Sequence, residues 1–291
     1  MAMRTDPQML DLILSTARAD ERIRAAVLNG SRANPDAPPD FFQDFDIIYF
    51  VTDVEALKHE PGWIDRFGEL MILQLPDDFT NSPPTASYCY LMQFNDGTRL
   101  DLTLYPAADI AALPPDSQTL PLLDKDGILP AFPPASDRAN YPKPPTAKLY
   151  FGTCNEFWWV SPYVAKGLWR QELLYAKGFQ DDCLRRQLMK MLTWYVGVRT
   201  GFTQSPGKLG KYLQRYLEPE LWDLLTQTYA DAAEEHTWQA LFAMGELFRR
   251  VAQPVAQHFG FTYPQGDDER VTAHLQHVRT LPRDAVEMYE T

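Results

Sequence analysis

Apolar residues along this chain follow two rhythms, and the change from one to the other divides it. In "DPQMLDLILSTARAD", Met9, Leu12, Ile13 and Ala17 recur every three or four residues. That is the spacing of one helical face, with Asp6 as the expected cap and Pro7 at the first position. "IRAAVLN" and "FDIIYFV" then read as short buried strands,. "YCYLMQF" and "TRLDLTL" flank Asn95-Asp96-Gly97, a turn signal that predicts an antiparallel hairpin,. The first half is thus expected to form a small mixed sheet with at least one helix.

Between Leu113 and Pro145 the rhythm breaks. Pro114, Pro115, Pro121, Pro130, Pro133, Pro134, Pro142, Pro144 and Pro145 all fall there, a density that excludes a long helix or a central strand and marks a surface connector. Beyond it the period is helical almost to the end, with segments expected near 153–178, 180–199, 206–217, 219–230 and 235–259. Pro162 and Pro254 are expected to start, kink or end their helices. The expected fold is α+β with two domains. Residues 1–145 form the sheet domain, including the connector at about 113–145, and residues 146–291 form an all-helical domain.

Composition narrows the function. The 291 residues carry a formal charge of -12, the wrong sign for lying along a phosphate backbone, so no nucleic-acid partner is expected. An acidic surface suits cations. No apolar run approaches the ~20 residues that span a bilayer, and no basic start precedes an apolar leader, so no membrane partner and a cytoplasmic location are expected. Cys89, Cys154 and Cys183 are odd in number and far apart, which suggests neither a disulfide framework nor a zinc site.

The chemistry concentrates in "NGSRANPDAPPDFFQDFDIIYFV". Residues i and i+2 of a strand share a face, so Asp44 and Asp46 project together while Phe45, Ile47 and Tyr49 face the other way. Two adjacent carboxylates repel, and a divalent cation removes that cost; Mg²⁺ takes hard oxygens such as these. Ahead of them, Gly30 permits a tight turn, Ser31 offers a hydroxyl and an N–H, and Arg32 follows, which is a phosphate site in outline. Arg32 either holds a phosphate or balances the acids. In "TRLDLTL", Asp101 lies opposite the face of Leu100, Leu102 and Leu104; if that strand neighbours the first, a third carboxylate joins the pair. Three acids beside a Gly-Ser turn suit nucleotidyl transfer, in which metal ions neutralise and orient a triphosphate.

In this respect the chain resembles the nucleotidyltransferase superfamily that includes DNA polymerase β. More closely, "LNGSRANP", "QDFDIIYFVTDV", "LMQFNDGTRLDLTL", "NEFWWVSPYVAKGLWR" and "HVRTLPRDA" are similar, over nearly the whole chain, to the streptomycin (aminoglycoside) 6-adenylyltransferases. The resemblance implies a polymerase-β-like sheet domain and metal ligation of one or two Mg²⁺ by Asp44, Asp46 and Asp101. It further implies a nucleotide turn at Gly30, Ser31 and Arg32, ATP as co-substrate and an aminoglycoside as acceptor.

The helical half offers candidates of its own. Glu156, Trp159, Tyr163, Lys166 and Arg170 fall on one face of a helix. Lys166 and Lys208 are candidate triphosphate ligands, and Asp101 or Glu156 is the candidate general base. Asp78, Trp159, Tyr163 and Glu172 suit a guanidinium-bearing substrate through charge and stacking. "SPGKLGKY" is not a P-loop, since Leu209 stands where Ser or Thr would bind Mg²⁺. His274 and His277 read as surface residues. Two other functions fit the same motif: a nucleotidyltransferase acting on protein or RNA, and a silent nucleotide sensor. A monomer or weak homodimer is expected.

Overall fold

Thr5, one residue earlier than expected, starts the first helix in the computed structural model. Its hydroxyl accepts from Gln8 N while the Gln8 side chain accepts from Thr5 N, a capping box that satisfies two end donors where Asp6 would satisfy one. Helix α1 (Asp6–Ala19) buries Met9, Ile13 and Ala17. The structure describes residues 2–79, 86–112 and 116–289. The chain divides into two units, Met1–Ala139 and Asn140–Thr291.

In the first unit β1 (Ile23–Asn29), β2 (Phe45–Val51), α2 (Val54–Lys58), β3 (Leu70–Gln74), α3 (Pro76–Phe79), β4 (Tyr88–Phe94), β5 (Arg99–Pro106) and β6 (Leu120–Asp124) follow in order. The sheet runs β3-β4-β5-β2-β1-β6. Its described pairings are antiparallel except β2 with β5, which is parallel. Alternate burial along β4 and β5, and along β2 as far as Tyr49, gives the sheet two unlike faces. Phe45, Ile47, Tyr49, Leu100, Leu102, Leu104, Tyr90 and Met92 pack with Met9, Ile13 and Ala17 of α1. Each such side chain contributes roughly 1.5–3 kcal/mol by leaving water. The Tyr49 hydroxyl, buried with them, donates to the Ile13 carbonyl at 2.5 Å.

The opposite face is divided along its length. Ile48, Phe50 and Tyr105 lie beneath Ile110, Ile128, Leu129 and Phe132. The other end of the same face bears Asp46 and Asp101.

The predicted hairpin forms, and Arg4 fastens it. Arg4 donates to Asp96 at 2.6 Å and to Thr98 Oγ1 at 2.6 Å. Burial alone would raise the Asp96 carboxyl, but these bonds outweigh it and hold it far below the usual carboxylate range,.

Part of the connector is a strand. Pro114 and Pro115 lie outside the described residues, whereas Pro121 sits within β6, which pairs with β1 at the edge of the described sheet. An edge tolerates a residue that cannot donate to the ladder.

The second unit is helical: α4 (Ala147–Trp169), α5 (Leu173–Gly178), a π-helical turn Phe179–Leu184, α6 (Arg185–Thr200), α7 (Pro219–Gln227), α8 (Glu234–Phe259) and α9 (Gln265–Thr280). The segment 206–217 departs from expectation and holds two 3-10 turns, Lys208–Gly210 and Leu213–Arg215. Positive φ at Gly207, Leu209 and Gly210 breaks the helical path there,. Pro162 and Pro254 neither start nor end a helix; each lies inside one, in α4 and α8. Packing offsets the hydrogen bond that each removes, as where Phe157 of α4 stacks on Phe248 of α8 with centroids 4.0 Å apart,.

Asp268 of α9 is fully buried and accepts from both Arg249 Nε and Nη2 at 2.6 Å and from the Tyr263 hydroxyl at 2.8 Å. Among the described residues no helix is long and apolar enough to cross a membrane.

Candidate active site

Strand register builds the site. Asn29 of β1 pairs with Asp46 of β2. Asp46 pairs with Asp101 of β5, and Asp101 with Leu91 of β4. Residues opposite one another share a face, so Asn29, Asp46 and Asp101 stand in one row across three strands. Asp44, two residues before Asp46, extends the row along the chain. The expected neighbourhood of β2 and β5 is therefore present, and in register at the acids themselves.

At the end of β1 the chain turns sharply. Gly30 adopts φ +73°, and a Cβ there would lie 2.1 Å from Asp46 Oδ2. Only glycine lets the turn and the carboxylate approach so closely. Gly30, Ser31 and Arg32 form one 3-10 turn, in which Ala33 N donates to Gly30 O at 3.1 Å and Asn34 N to Ser31 O at 3.3 Å. Beside it the carboxamide Oδ1 of Asn29 is buried with no hydrogen-bond partner, which is costly unless a ligand supplies a donor.

Arg32 is engaged by the chain itself. Its Nε donates to the carbonyls of Gln43 and Asp44, both at 3.1 Å, and its Nη1 meets Asp6 at 2.5 Å. The guanidinium also lies 3.9 Å over the Phe45 ring. Through these contacts Arg32 clamps the loop entering β2.

The cation that does meet the acids is Arg99, which the sequence reading passed over. Its Nε and Nη2 donate to the two oxygens of Asp101, both at 2.9 Å, and its Nε lies 3.7 Å from Asp44 Oδ2. The Asp101 hydrogen bonds, and beyond them the Asp44 and Asp46 charges, raise its pKa. Among the described residues no three Asp, Glu, His or Cys side chains stand in ready-made metal geometry; here two of the acids meet a guanidinium instead. The carboxylate oxygens and the unsatisfied Asn29 oxygen are nonetheless the hard donors that suit Mg²⁺ or the water on it,. Cys89 shares this face, where burial and the nearby Asp101, Asp77 and Asp46 charges raise its pKa and keep it a thiol,.

Asp78 accepts from the Tyr88 hydroxyl at 2.7 Å and lies 3.6 Å from Lys58, so it anchors α3 to the sheet. In the helical unit, Glu156 and Trp159 are exposed on α4, Trp159 by 66%. One and two turns on, Tyr163 and Lys166 are half-buried, with the Lys166 ammonium 4.7 Å over the Tyr163 ring and 5.7 Å from that of Tyr175. The predicted face of α4 is thus real. Tyr163, Lys166, Trp169 and Arg170 line a cavity of about 420 Å³ together with Val286 and Met288. Glu172 is exposed at the start of α5, and Lys208 is exposed on its 3-10 turn.

A mixed sheet that sets paired acids beside a glycine turn, followed by a helical unit, is the architecture of a nucleotidyltransferase enzyme. The family model for streptomycin adenylyltransferase matches residues 3–278. An aminoglycoside 6-adenylyltransferase of Bacillus subtilis (strain 168) is 40% identical over 91% of this chain and 95% of its own length. Enzymes of the same name from Campylobacter jejuni and Staphylococcus aureus are 38% and 35% identical, over 92% and 90% of this chain and 93% and 94% of theirs. The crystal structure of an aminoglycoside 6-adenyltransferase from Bacillus subtilis aligns over 96% of this chain and all of that one, at 34% identity and a TM-score of 0.48. On the sequence matches, the chain belongs to the streptomycin adenylyltransferase family.

Proposed function

We propose that this chain transfers AMP from ATP to the 6-hydroxyl of an aminoglycoside such as streptomycin, releasing pyrophosphate and inactivating the antibiotic. The observation that carries the reading is the register of Asp46 with Asp101 across β2 and β5, in a chain 40% identical to an aminoglycoside 6-adenylyltransferase.

Asp44, Asp46 and Asp101 would hold one or two Mg²⁺. When bound, the metal neutralises and orients the triphosphate and stabilises the charge of the departing pyrophosphate. Gly30 admits the phosphates close to the backbone, and Ser31 donates to them from its hydroxyl. Lys166 is the stronger of the two lysine candidates for phosphate, because its ammonium is held by two rings and is half-buried; Lys208 is the second. The acceptor hydroxyl attacks the α-phosphorus, the bond to the β-phosphate oxygen breaks, and the hydroxyl proton passes to a carboxylate. Asp101 and Glu156 remain the two candidates for that base. Trp159 and Tyr163 offer stacking surfaces, and Asp78 and Glu172 offer charge, to a cationic acceptor.

Incubation with α-labelled ATP, Mg²⁺ and streptomycin tests the reading. Label is expected in a product modified at the 6-hydroxyl, with equimolar pyrophosphate, and Asp46→Asn is expected to form it about a thousandfold more slowly. Label appearing instead on protein or RNA, or nucleotide binding without pyrophosphate release, would overturn it.

A further inference from the structure

The acid row contains a cation of its own. Arg99 and Asp101 are two residues apart on β5 and share a face. The guanidinium fork engages both oxygens of Asp101 and reaches Asp44 at 3.7 Å. Three carboxylates in such proximity repel one another, and a single guanidinium offsets part of that repulsion. It also uses what a metal needs: both Asp101 oxygens accept from Arg99, whereas Mg²⁺ takes a carboxylate oxygen as a direct ligand at about 2.1 Å. Each Asp101 oxygen keeps a further lone pair, so the conflict is one of charge: a guanidinium and a dication held on one carboxylate repel each other.

We propose that Arg99 is a positioning residue that acts as the resident counter-ion of the acid row, holding Asp101 and Asp44 in place until a divalent cation displaces its fork from Asp101. The exposure of the pair fits exchange. The Arg99 side chain is 41% exposed against 19% for Asp101, so the arginine can turn into solvent while the acid stays. This rests on the reading of Asp44, Asp46 and Asp101 as metal ligands. It adds a direction that a structural ion pair does not predict: removing a cation-bearing side chain from the site should strengthen metal binding.

The experiment is Mn²⁺ titration of the full-length protein without nucleotide, followed by the loss of the free-ion resonance signal, in wild type, Arg99→Gln, Arg99→Lys and Asp46→Asn. Charge-assisted hydrogen bonds, discounted for their exposure, set the scale. Arg99→Gln is expected to bind Mn²⁺ roughly tenfold more tightly. Arg99→Lys keeps the charge and loses the two-pronged geometry, so it is expected to move at least half of that way on a logarithmic scale. A Lys variant that binds like wild type would reduce the effect to net charge and overturn displacement of the fork. Unchanged or weaker binding in Arg99→Gln, with Asp46→Asn clearly weakened, overturns the role of Arg99 and leaves the metal site standing. Unchanged binding in Asp46→Asn overturns the metal site and this proposal together. As a second readout, Arg99→Gln should melt below wild type in chelator and gain more from added Mn²⁺.

Discussion

Asp46 and Asp101 are direct partners across the parallel strands β2 and β5, although 55 positions separate them in the chain. Each is expected to matter about equally to transfer. Metal-borne charge stabilisation is worth several kcal/mol, so Asp46→Asn and Asp101→Asn should each reduce AMP transfer by about a thousandfold. The measurement is initial pyrophosphate release at saturating ATP, with circular dichroism to confirm folding. A loss under tenfold in either would remove that residue from the metal set.

Gly30 tests the same site through the backbone. Gly30→Ala must adopt a left-handed φ, costing roughly 1–2 kcal/mol, and its methyl meets Asp46 Oδ2. Both the melting temperature and Mg²⁺-dependent ATP binding should fall. Ser31→Ala, which adds no atoms, should weaken ATP binding while leaving the melting temperature within a degree or two of wild type.

Arg32 should behave in the opposite way. Because its donors hold Gln43 O, Asp44 O and Asp6, Arg32→Met should destabilise the first unit by about 2 kcal/mol, read from urea unfolding. Its KM for ATP should change far less than that of Lys166→Met. A large KM effect at unchanged stability would restore Arg32 to the phosphates.

In the helical unit Asp268 carries a buried charge that four neighbouring donors satisfy: Arg249 through two nitrogens, Tyr263 and Thr272. Asp268→Ala leaves the Arg249 guanidinium without its main partner and should cost roughly 3–5 kcal/mol. Urea denaturation monitored by tryptophan fluorescence would show it as a lower midpoint.

The end of the chain should respond to acid. His274 Nδ1 lies 2.6 Å from the Tyr289 hydroxyl, and burial, aided by the charge of His277, lowers its pKa. The unfolded chain therefore binds more protons than the folded one just below its usual pKa of about 6.5. Stability is then fully present above that pH and declines as pH falls through the window beneath it. Hydrogen-exchange protection factors across residues 281–289, which correct for the intrinsic slowing of amide exchange in acid, should fall between pH 7 and pH 5.5, and His274→Gln should remove much of that difference.

The sequence made the strands around the acids legible because "FDIIYFV" is a short apolar run, Leu100, Leu102 and Leu104 alternate with polar residues in β5, and Asn95-Asp96-Gly97 leaves little choice of turn,. It did not reveal β3 or β6. Met71 and Ile72 of β3 are exposed, so no buried face sets a rhythm, and β6 contains Pro121 in a proline-dense stretch. Within the site, the glycine turn and the acids announce themselves by residue type. Arg99 and Asn29 do not, since an arginine beside an aspartate and an asparagine ending a strand are ordinary until register brings them together. Arg32 shows the converse: residue type suggested an anion, while the loop that occupies it became visible only in three dimensions.

The placement of β6 bears on how this protein can be cut. A fragment ending near residue 112, where the proline tract begins, would retain every acid and the glycine turn. It would also strip β1 of its outer partner and expose a ladder of unmet amides and carbonyls along Ala25, Ala26, Val27 and Leu28. Such a rim recruits other chains, so that fragment should precipitate. One carried through Ala139 keeps β6 beside β1, leaves as the edge a short strand interrupted by Pro121, and is the length at which the first unit is best sought in isolation.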